Sequence, residues 1–402
     1  MNKYVNFQKQ ISIGNPSWEE ACVEGLLNIA VDHADQARLI DTKGREFINM
    51  CSCSYLGLDT HTDIVRRAAD AILMAGTLNL PTSRVRIRLS MLDECESALS
   101  DYFRCEAILT MSCGAASAGV LPVLASGHLS GGQRPVMVFD KHCHFSMNHV
   151  KAVCGDETEV HTCEHNDVSF IEDMCKHHGV VAYVADGAYS MGGHAPVEAL
   201  LALQEKYGLL LYFDDSHSLS AFGDYGQGYV RSHIPELNDR TIIVASLAKG
   251  FGACGGAIFL GKNKYRAILD RFGGPMSWSQ YANPACMGAV LGSIEVHRSP
   301  ELKRRQDRLK DNIALFDSVI PTVDAGAMLP VRVVPVGQPE TAVEVSRKMF
   351  EHGFYTSAVF FPVVARGTAG LRVMPRADIP AEDIQRFATT VKALVVEKVA
   401  MA

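Results

Sequence analysis

Acidic, hydroxyl and imidazole side chains follow one apolar segment of the chain. The segment LLLYFD spans 209–214, and Asp215, Ser216 and His217 come directly after it. Its apolar residues do not alternate with polar ones, which predicts a strand buried on both faces. The carboxyl ends of such parallel strands are where α/β proteins bind ligands. Asp214 and His217 are therefore candidates for ligand contacts.

A lysine lies among small residues shortly after a second apolar segment. TIIVAS (241–246) predicts a strand, and SLAKG (246–250) then places Lys249 among small neighbours that leave its amine accessible. An aspartate at a strand end is often only a helix cap, so neither feature is specific alone. Together, a lysine that forms a Schiff base and a carboxylate that keeps a pyridine nitrogen protonated are what pyridoxal phosphate chemistry needs. The pair Lys249 and Asp214 thus predicts a pyridoxal 5'-phosphate site.

The elements that must position these residues are short apolar runs alternating with helical patterns. This alternation predicts an α/β fold with a mostly parallel, doubly wound sheet. We expect helices over 145–153, 167–178 and 197–208. The predicted strands span 107–112, 135–140, 180–186, 209–214, 241–246 and 256–261.

The pattern changes after residue 262 and predicts a smaller α+β domain. Helices over 284–297 and 301–319 precede a βαββα series that ends in a helix from 380. The chain then divides into three predicted parts. These are an N-terminal lead-in over 1–50, a large cofactor domain over 51–295 and a C-terminal α+β domain over 296–402.

Five motifs, in a fixed order and spacing, make the chain recognisable from about residue 47 onward. They are SYLGL (54–58), AYSMGGHAP (188–196), DDSH (214–217), SLAKGFGACGG (246–256) and RGTAGLRV (366–373). With these motifs the chain resembles the fold-type I pyridoxal-phosphate enzymes and, among them, the α-oxoamine synthase family. The resemblance implies a large, mostly parallel α/β domain with a smaller C-terminal domain. It also implies that Lys249 is the Schiff-base lysine and that Asp214 pairs with the pyridinium nitrogen.

The resemblance implies further cofactor contacts. His217 matches the histidine that bonds the phenolic oxygen of the cofactor, and Ser190 matches a serine near that oxygen. His144 matches the histidine that stacks on the ring, although His142, two residues earlier, is an alternative. Ser246 stands where the family bonds the phosphate.

Two more sites carry over by resemblance. The stretch SCGAAS (112–117) stands at the family's phosphate turn, where a strand end, a tight turn and a helix start present backbone N–H groups. Cys113 and Gly114 are the expected donors, and we interpret Cys113 as a small residue in a backbone role, not a nucleophile. Arg372 matches the arginine that pairs with the carboxylate of the amino-acid substrate, which a planar guanidinium suits.

The chain departs from the family on the substrate side. Cys53, Leu92 and Val363 stand where the family has asparagine, histidine and threonine. The segment NLPTSRVRIRLSML (79–92) carries Arg84, Arg86 and Arg88 where the family has small residues. If this segment is extended, the three arginines share one face. They could bind an anionic group, or they could be a solvated or interface strip.

The resemblance implies an acyltransferase. Such an enzyme joins an amino acid to an acyl thioester, with loss of carbon dioxide, and gives an α-aminoketone. The altered substrate side leaves open an aminotransferase, a cyclase or a β- or γ-replacement enzyme that uses no thioester. A nicotinamide-binding protein is disfavoured, because the GxGxxG match at 250–255 precedes a strand, not a helix.

The resemblance also implies partners. They are an amino acid, an acyl-CoA or acyl-carrier protein, and a second copy of the chain in a homodimer with a shared active site. Residues near 277–279 would reach the phosphate bound by the partner.

Composition limits the other classes of function. The 402 residues carry a net charge of −7, without the basic excess of a nucleic-acid binder. The twelve cysteines are scattered and form no CxxC pair, which favours reduced, buried thiols in a cytoplasmic protein. No apolar run is long enough to span a membrane. The His/Cys clusters at 142–144 and 161–165 lack the usual ligand spacing of zinc, so we expect no metal.

Overall fold

The computed structural model describes residues 7–261 and 265–401, so the first residues of the predicted lead-in lie outside the described part. The described chain divides into two compact units. One contains residues 58–190 and 194–303, and the other contains residues 7–57, 191–193 and 304–401.

Both units mix helices and strands. In chain order the strands are β1 Val31–Asp35, β2 Arg38–Asp41, β3 Glu46–Asn49, β4 Glu106–Thr110, β5 Val136–Asp140, β6 Val160–Cys163, β7 Val181–Asp186, β8 Leu210–Asp214, β9 Thr241–Ser246, β10 Gly256–Leu260, β11 Arg332–Gly337, β12 Phe354–Tyr355, β13 Ser357–Val359 and β14 Ala369–Val373.

The helices account for much of the remaining chain. They are α1 Phe7–Val23, α2 Thr62–Ala75, α3 Ser90–Phe103, α4 Cys113–Ala125, α5 Phe145–Asn148, α6 Lys151–Glu157, α7 Val168–His177, α8 Val197–Tyr207, α9 Tyr229–His233, α10 Arg266–Phe272, α11 Pro275–Trp278, α12 Pro284–His297, α13 Glu301–Val319, α14 Pro339–Glu351 and α15 Ala381–Met401.

The first unit contains one seven-stranded sheet, in the order β4-β10-β9-β8-β7-β5-β6. The pairs from β9 to β6 are parallel, whereas β10 is antiparallel to both of its neighbours. The predicted α/β class and mostly parallel sheet are therefore confirmed. The reversed direction of β10 follows from its connection, because β9 and β10 are joined by a turn and not by a helix.

The sheet is covered by apolar side chains on both faces. Along β9, Ile243 and Ala245 join one core cluster, and Ile242 and Val244 join the cluster on the other face. Successive side chains of a strand point to opposite faces. A strand buried on both faces must therefore be apolar throughout, which is why these strands could be read from uninterrupted apolar runs.

One edge of this sheet collects polar residues. The parallel strands β5, β7, β8 and β9 end there at Asp140, Asp186, Asp214 and Ser246. Because two antiparallel pairings restore the original direction, β4 also ends at this edge. Gly256 is paired with both Thr110 of β4 and Ser246 of β9. Helix α4 thus begins at the same edge as the strand ends.

Two details differ from the sequence-based expectation. The helix expected over 145–153 is two helices, α5 and α6, separated at 149–150. Strand β6 was not predicted because its sequence, VHTC, is polar. It pairs only with β5 at the edge of the sheet, where partly exposed side chains are tolerated.

The second unit has its own sheets and core. The sheets have the orders β1-β2-β3-β12 and β11-β14-β13. Phe316, Leu371 and Phe387 are among the fully buried residues of its core. Because β12 pairs with β3, the unit joins segments that the sequence analysis assigned to a lead-in and to a C-terminal domain. The predicted boundaries at residues 50 and 295 stay predictions.

A helix can cross a membrane only if it is long and apolar enough. Within residues 7–261 and 265–401, no helix has the length and apolar character needed to cross a bilayer.

Candidate active site

Lys249 lies in the turn between β9 and β10. Its Nζ is 2.8 Å from Nε2 of His217, in the segment that follows β8. The lysine is half-buried, and the described residues place no carboxylate in an ion pair with it. The small residues around it, including Gly250, keep the turn compact. The structure thus brings these two predicted site residues together, while their roles stay predictions.

Asp214 ends β8 and is almost fully buried. Its Oδ1 accepts a hydrogen bond from the N–H of Ser216 at 3.1 Å. Its Oδ2 accepts the S–H of Cys113, the first residue of α4, at 3.3 Å. Donors from two other segments thus fix both oxygens of this carboxylate. The sequence analysis identified Asp214 but missed both donors, because hydrogen bonds between distant segments leave no local pattern.

A second buried carboxyl, which the sequence analysis also missed, lies next to Asp214. Asp186 ends β7 and is paired in register with Asp214. Burial raises the pKa of Asp186 well above its usual range, and the charge of Asp214 raises this pKa further, while Lys249 opposes the shift. The shift favours the neutral form of Asp186, and Lys249 is close enough to oppose it. The sequence held one indication of this position, because the predicted strand VVAYVAD ends in an acidic residue, as the strand LLLYFD does.

The start of α4 provides backbone donors at the same edge. The side chain of Ser112 caps the helix by accepting the N–H of Ala115 at 3.1 Å. The N–H groups of Cys113 and Gly114 have no acceptor inside an α-helix. At Gly114 there is room, since an added Cβ would meet nothing closer than 3.7 Å. The helix dipole and these donors together suit an anion such as a phosphate.

The remaining predicted residues at this edge are two serines. Ser246 ends β9, donates its N–H to Oγ of Ser216 at 2.7 Å, and accepts the N–H of Ala248 at 3.3 Å. Ser190 lies half-buried in the segment after β7.

The two histidines that compete for the ring-stacking role have different surroundings. The ring of His142 is stacked on that of His165, with centroids 4.4 Å apart. His144 donates its backbone N–H to Oδ2 of Asp186 at 2.7 Å, and its Nδ1 is 2.9 Å from Oγ of Ser146. His144 stays the residue predicted for the role, with His142 as the alternative.

Arg372 belongs to the second unit, where it lies half-buried on β14. Its Nη2 is 3.9 Å from Sγ of Cys53. In the described part of this unit, its Nε has no hydrogen-bond partner and no carboxylate forms an ion pair with it. The thiol of Cys53 also lies 3.6 Å from Sδ of Met374. A cation with a thiol neighbour and no carboxylate is suited to an anionic ligand.

The condition for three arginines on one face, an extended segment, is not met. The chain turns at 84–86, so the segment is not extended. Arg84 is buried and bonds Glu96 at 2.8 Å. Arg86 lies over the ring of Trp278, and Arg88 pairs with Asp93 on the surface. Arg84 is held in the interior by its carboxylate partner and is not available to a ligand.

Two other positions on the substrate side were misplaced. Leu92 is fully buried in the apolar core, so it cannot face a substrate. In the range 277–279 expected to reach the partner, Ser277 is also fully buried in this chain and donates to the carbonyl of Leu269 at 2.8 Å, so the prediction stays only for its neighbours. Ser279 and Val363 are exposed.

The cysteines form no disulfide in the described chain. Six are buried, but Cys22 and Cys254 are exposed, which corrects the expectation that all are core residues. Among the residues that the structure describes, no three His, Cys, Asp or Glu side chains converge as they would around a metal ion. The absence of a metal stays a prediction.

The sequence matches a known family over most of its length. The model of the aminotransferase class I and II family matches residues 45–391. The chain belongs to this family.

Curated relatives in the aminotransferase class I and II family are similar over nearly the whole chain. The 8-amino-7-oxononanoate synthase of Geobacter sulfurreducens is 28% identical over 379 residues, covering 92% of this chain and 93% of the relative. The enzyme of the same name from Alkaliphilus metalliredigens is 26% identical over 355 residues, covering 85% and 86%.

Solved structures share the fold. A serine palmitoyltransferase from S. paucimobilis superposes with a TM-score of 0.86 and 18% identity, covering 98% of this chain and all of that one. An 8-amino-7-oxononanoate synthase from Francisella tularensis superposes with a TM-score of 0.71 and 17% identity, covering 88% of this chain and 99% of that one. The predicted resemblance to fold-type I α-oxoamine synthases is confirmed, since both enzyme names belong to that group.

The residues of the first unit fit pyridoxal 5'-phosphate. Lys249 has an amine with a histidine neighbour and no carboxylate partner among the described residues. Asp214 is a buried carboxylate at the same sheet edge. The start of α4 has room and backbone donors for a phosphate, and Gly256 allows close approach, because a Cβ there would lie 2.5 Å from the nitrogen of Cys113.

Proposed function

We propose that the protein is a pyridoxal 5'-phosphate-dependent acyltransferase that joins an amino acid to an acyl thioester, with loss of carbon dioxide, to give an α-aminoketone. The observation that carries the proposal is the contact of Lys249 with His217 at the sheet edge that also holds the buried Asp214. The relatives named 8-amino-7-oxononanoate synthase support the acyl transfer.

When bound, the cofactor supplies an electron sink for charge that develops at the Cα of the amino acid. Lys249 would hold the cofactor and, once displaced by the amino acid, its Nζ would take the Cα proton. His217, 2.8 Å from this Nζ, orients the amine. Asp214 would keep the ring nitrogen protonated, and its burial strengthens this charge interaction by excluding water.

The other proposed contacts belong to the substrates and to the anionic end of the cofactor. Cys113 and Gly114 would donate backbone N–H groups to the phosphate, with Ser246 as a further donor. Arg372 would bind the substrate carboxylate with its planar guanidinium. His144 would face the ring, His217 would bond its phenolic oxygen and Ser190 would lie near that oxygen, as the resemblance implies.

The partners in this proposal are an amino acid, an acyl-CoA or acyl-carrier protein, and a second copy of the chain. Support for the second copy comes from large apolar side chains on the first unit, since Phe272 and Trp278 are 67% and 60% exposed. Exposed aromatic side chains of this size are typical of protein interfaces.

The test uses the purified protein loaded with the cofactor. We expect visible absorption from the cofactor bound to lysine, a spectral change with single amino acids, and thiol release only when an acyl-CoA is also present. Lys249→Ala should abolish the visible band and the turnover. The matched control Lys176→Ala removes an exposed lysine of α7 and should change neither.

Two outcomes would contradict the proposal. Product formation from an amino acid alone, with no thioester, would indicate an aminotransferase, a cyclase or a replacement enzyme instead. A visible band that survives in Lys249→Ala would show that another group holds the cofactor.

A further inference from the structure

The thiol of Cys113 contacts the proposed ring-nitrogen carboxylate directly. Its Sγ is 3.3 Å from Oδ2 of Asp214, and both residues are buried. Position 113 was expected to act through its backbone alone, as a small residue at the start of a helix. The side chain instead has a specific polar partner in the interior, where hydrogen bonds are stronger than in water.

The thiol can act only as a donor to this carboxylate. Burial raises the pKa of Cys113 well above its usual range, and the charge of Asp214 raises it further. The sulfur therefore keeps its proton at ordinary pH, and Asp214 is the acceptor. A neutral thiol also excludes Cys113 as a nucleophile, because the thiolate is the reactive form.

A second contact fixes the sulfur from the other side. The hydroxyl of Ser216 donates to Sγ of Cys113 at 3.5 Å and accepts the N–H of Ser246 at 2.7 Å. The same serine donates its own N–H to Oδ1 of Asp214 at 3.1 Å. These hydrogen bonds thus connect the start of α4 with the ends of β8 and β9.

The backbone of α4 is held in place independently of the thiol. Gly256 of β10 packs so closely that an added Cβ would lie 2.5 Å from the nitrogen of Cys113. One turn further along α4, Oγ of Ser117 accepts the hydroxyl of Tyr212 of β8 at 3.0 Å. Replacing the Cys113 side chain should therefore leave the helix start, and its phosphate donors, where they are.

We propose that Cys113 is a positioning residue whose S–H holds the carboxylate of Asp214 in place and keeps it ionised, so that the proton stays on the ring nitrogen of the cofactor. This inference rests on the proposed function. Donation to a carboxylate favours its charged form, which makes it a weaker competitor for that proton. Without the donor, the proton should move toward Asp214.

The experiment compares Cys113→Ala, which removes the donor, with Cys113→Ser, which keeps one. Cys154→Ala is the matched control, because Cys154 is a buried thiol in the same core cluster and, among the described residues, makes no side-chain hydrogen bond to Asp214 or Cys113. The readouts are the dissociation constant of pyridoxal phosphate and the NMR resonance of its 15N-labelled ring nitrogen. We expect Cys113→Ala to weaken binding about fivefold and to move the resonance toward that of the neutral ring.

Cys113→Ser and Cys154→Ala should both retain the wild-type resonance. Equal effects of alanine and serine at position 113 would show that only packing matters and would overturn the inference. So would a Cys113→Ala resonance identical to that of the wild type. If the wild-type protein itself takes up no cofactor, the proposed function fails instead, so the two failures are distinguishable.

Discussion

Asp186 and Asp214 lie directly opposite each other on the neighbouring parallel strands β7 and β8, and both are almost fully buried. Two like charges on neighbouring strands of a dry interior are unfavourable. Asp214 accepts hydrogen bonds on both oxygens, whereas burial and then the charge of Asp214 raise the pKa of Asp186. The two acids therefore have different surroundings, and those of Asp186 favour its neutral form.

The raised pKa of Asp186 predicts that a negative charge at this position is dispensable for stability. Asp186→Asn keeps an oxygen that can accept the N–H of His144. We expect the free energy of unfolding of this variant to lie within about 1 kcal/mol of the wild-type value. Asp186→Ala leaves this N–H without its acceptor and should cost about 1–3 kcal/mol. Urea unfolding at pH 7 measures both. An asparagine variant as unstable as the alanine variant would show that Asp186 is ionised.

Arg372 should determine the affinity for the amino acid. Arg372→Gln removes the charge that would pair with the substrate carboxylate, and the KM for the amino acid should rise by about 10- to 100-fold with a smaller change in kcat. Arg134→Gln, on the surface of the first unit, is the control and should have no effect. An unchanged KM in Arg372→Gln would exclude this residue from carboxylate binding.

Arg84 and Arg88 should differ sharply in their contribution to the free energy of unfolding. Arg84→Met leaves the buried carboxylate of Glu96 with fewer partners and should cost about 3 kcal/mol or more. Arg88→Met breaks only an exposed pair with Asp93 and should cost less than about 1 kcal/mol. Denaturant midpoints test this contrast, and similar losses from the two variants would contradict the buried position of Arg84.

His297 should make the protein sensitive to acid. Burial lowers its pKa to about 4, compared with about 6.5 in an unfolded chain. The unfolded state therefore binds a proton first, and stability is lost as the pH falls from about 6.5 to about 4, by about 3 kcal/mol. This contribution is fully present above pH 6.5.

The measurement compares unfolding free energies at pH 7 and pH 4.5. His297→Gln should lose less stability across this range than the wild type, whatever its stability at pH 7. His177→Gln removes an exposed histidine and should behave as the wild type does. A wild-type slope that persists in His297→Gln would assign the acid sensitivity to other groups.

Local patterns in the sequence predicted much of the fold and part of the site. The buried strand β9 and the helix α12 coincide with the predicted segments 241–246 and 284–297, because burial on all sides requires continuous apolar sequence. Lys249 and His217 were found because each follows such a strand.

What the sequence could not provide depends on pairings between distant segments. The position of Arg84 depends on Glu96, and the role of the Cys113 side chain depends on Asp214, a hundred positions away. Arginines at alternate positions occur both in extended strands and in turns, so their spacing alone does not identify the carboxylate that each one contacts. The edge strand β6 was hidden for a related reason, since partial exposure tolerates the polar sequence VHTC.

The pairing of Ser246 with Gly256 has a consequence for the order of folding. Because β9 and β10 are adjacent in the chain, the turn that holds Lys249 closes at a small entropic cost and can form early. The surroundings of Asp214 require α4, β7 and β8 to assemble from widely separated parts of the chain. We therefore expect the backbone amides of the turn around Lys249 to be protected from hydrogen exchange earlier during refolding than the backbone amides around Asp214.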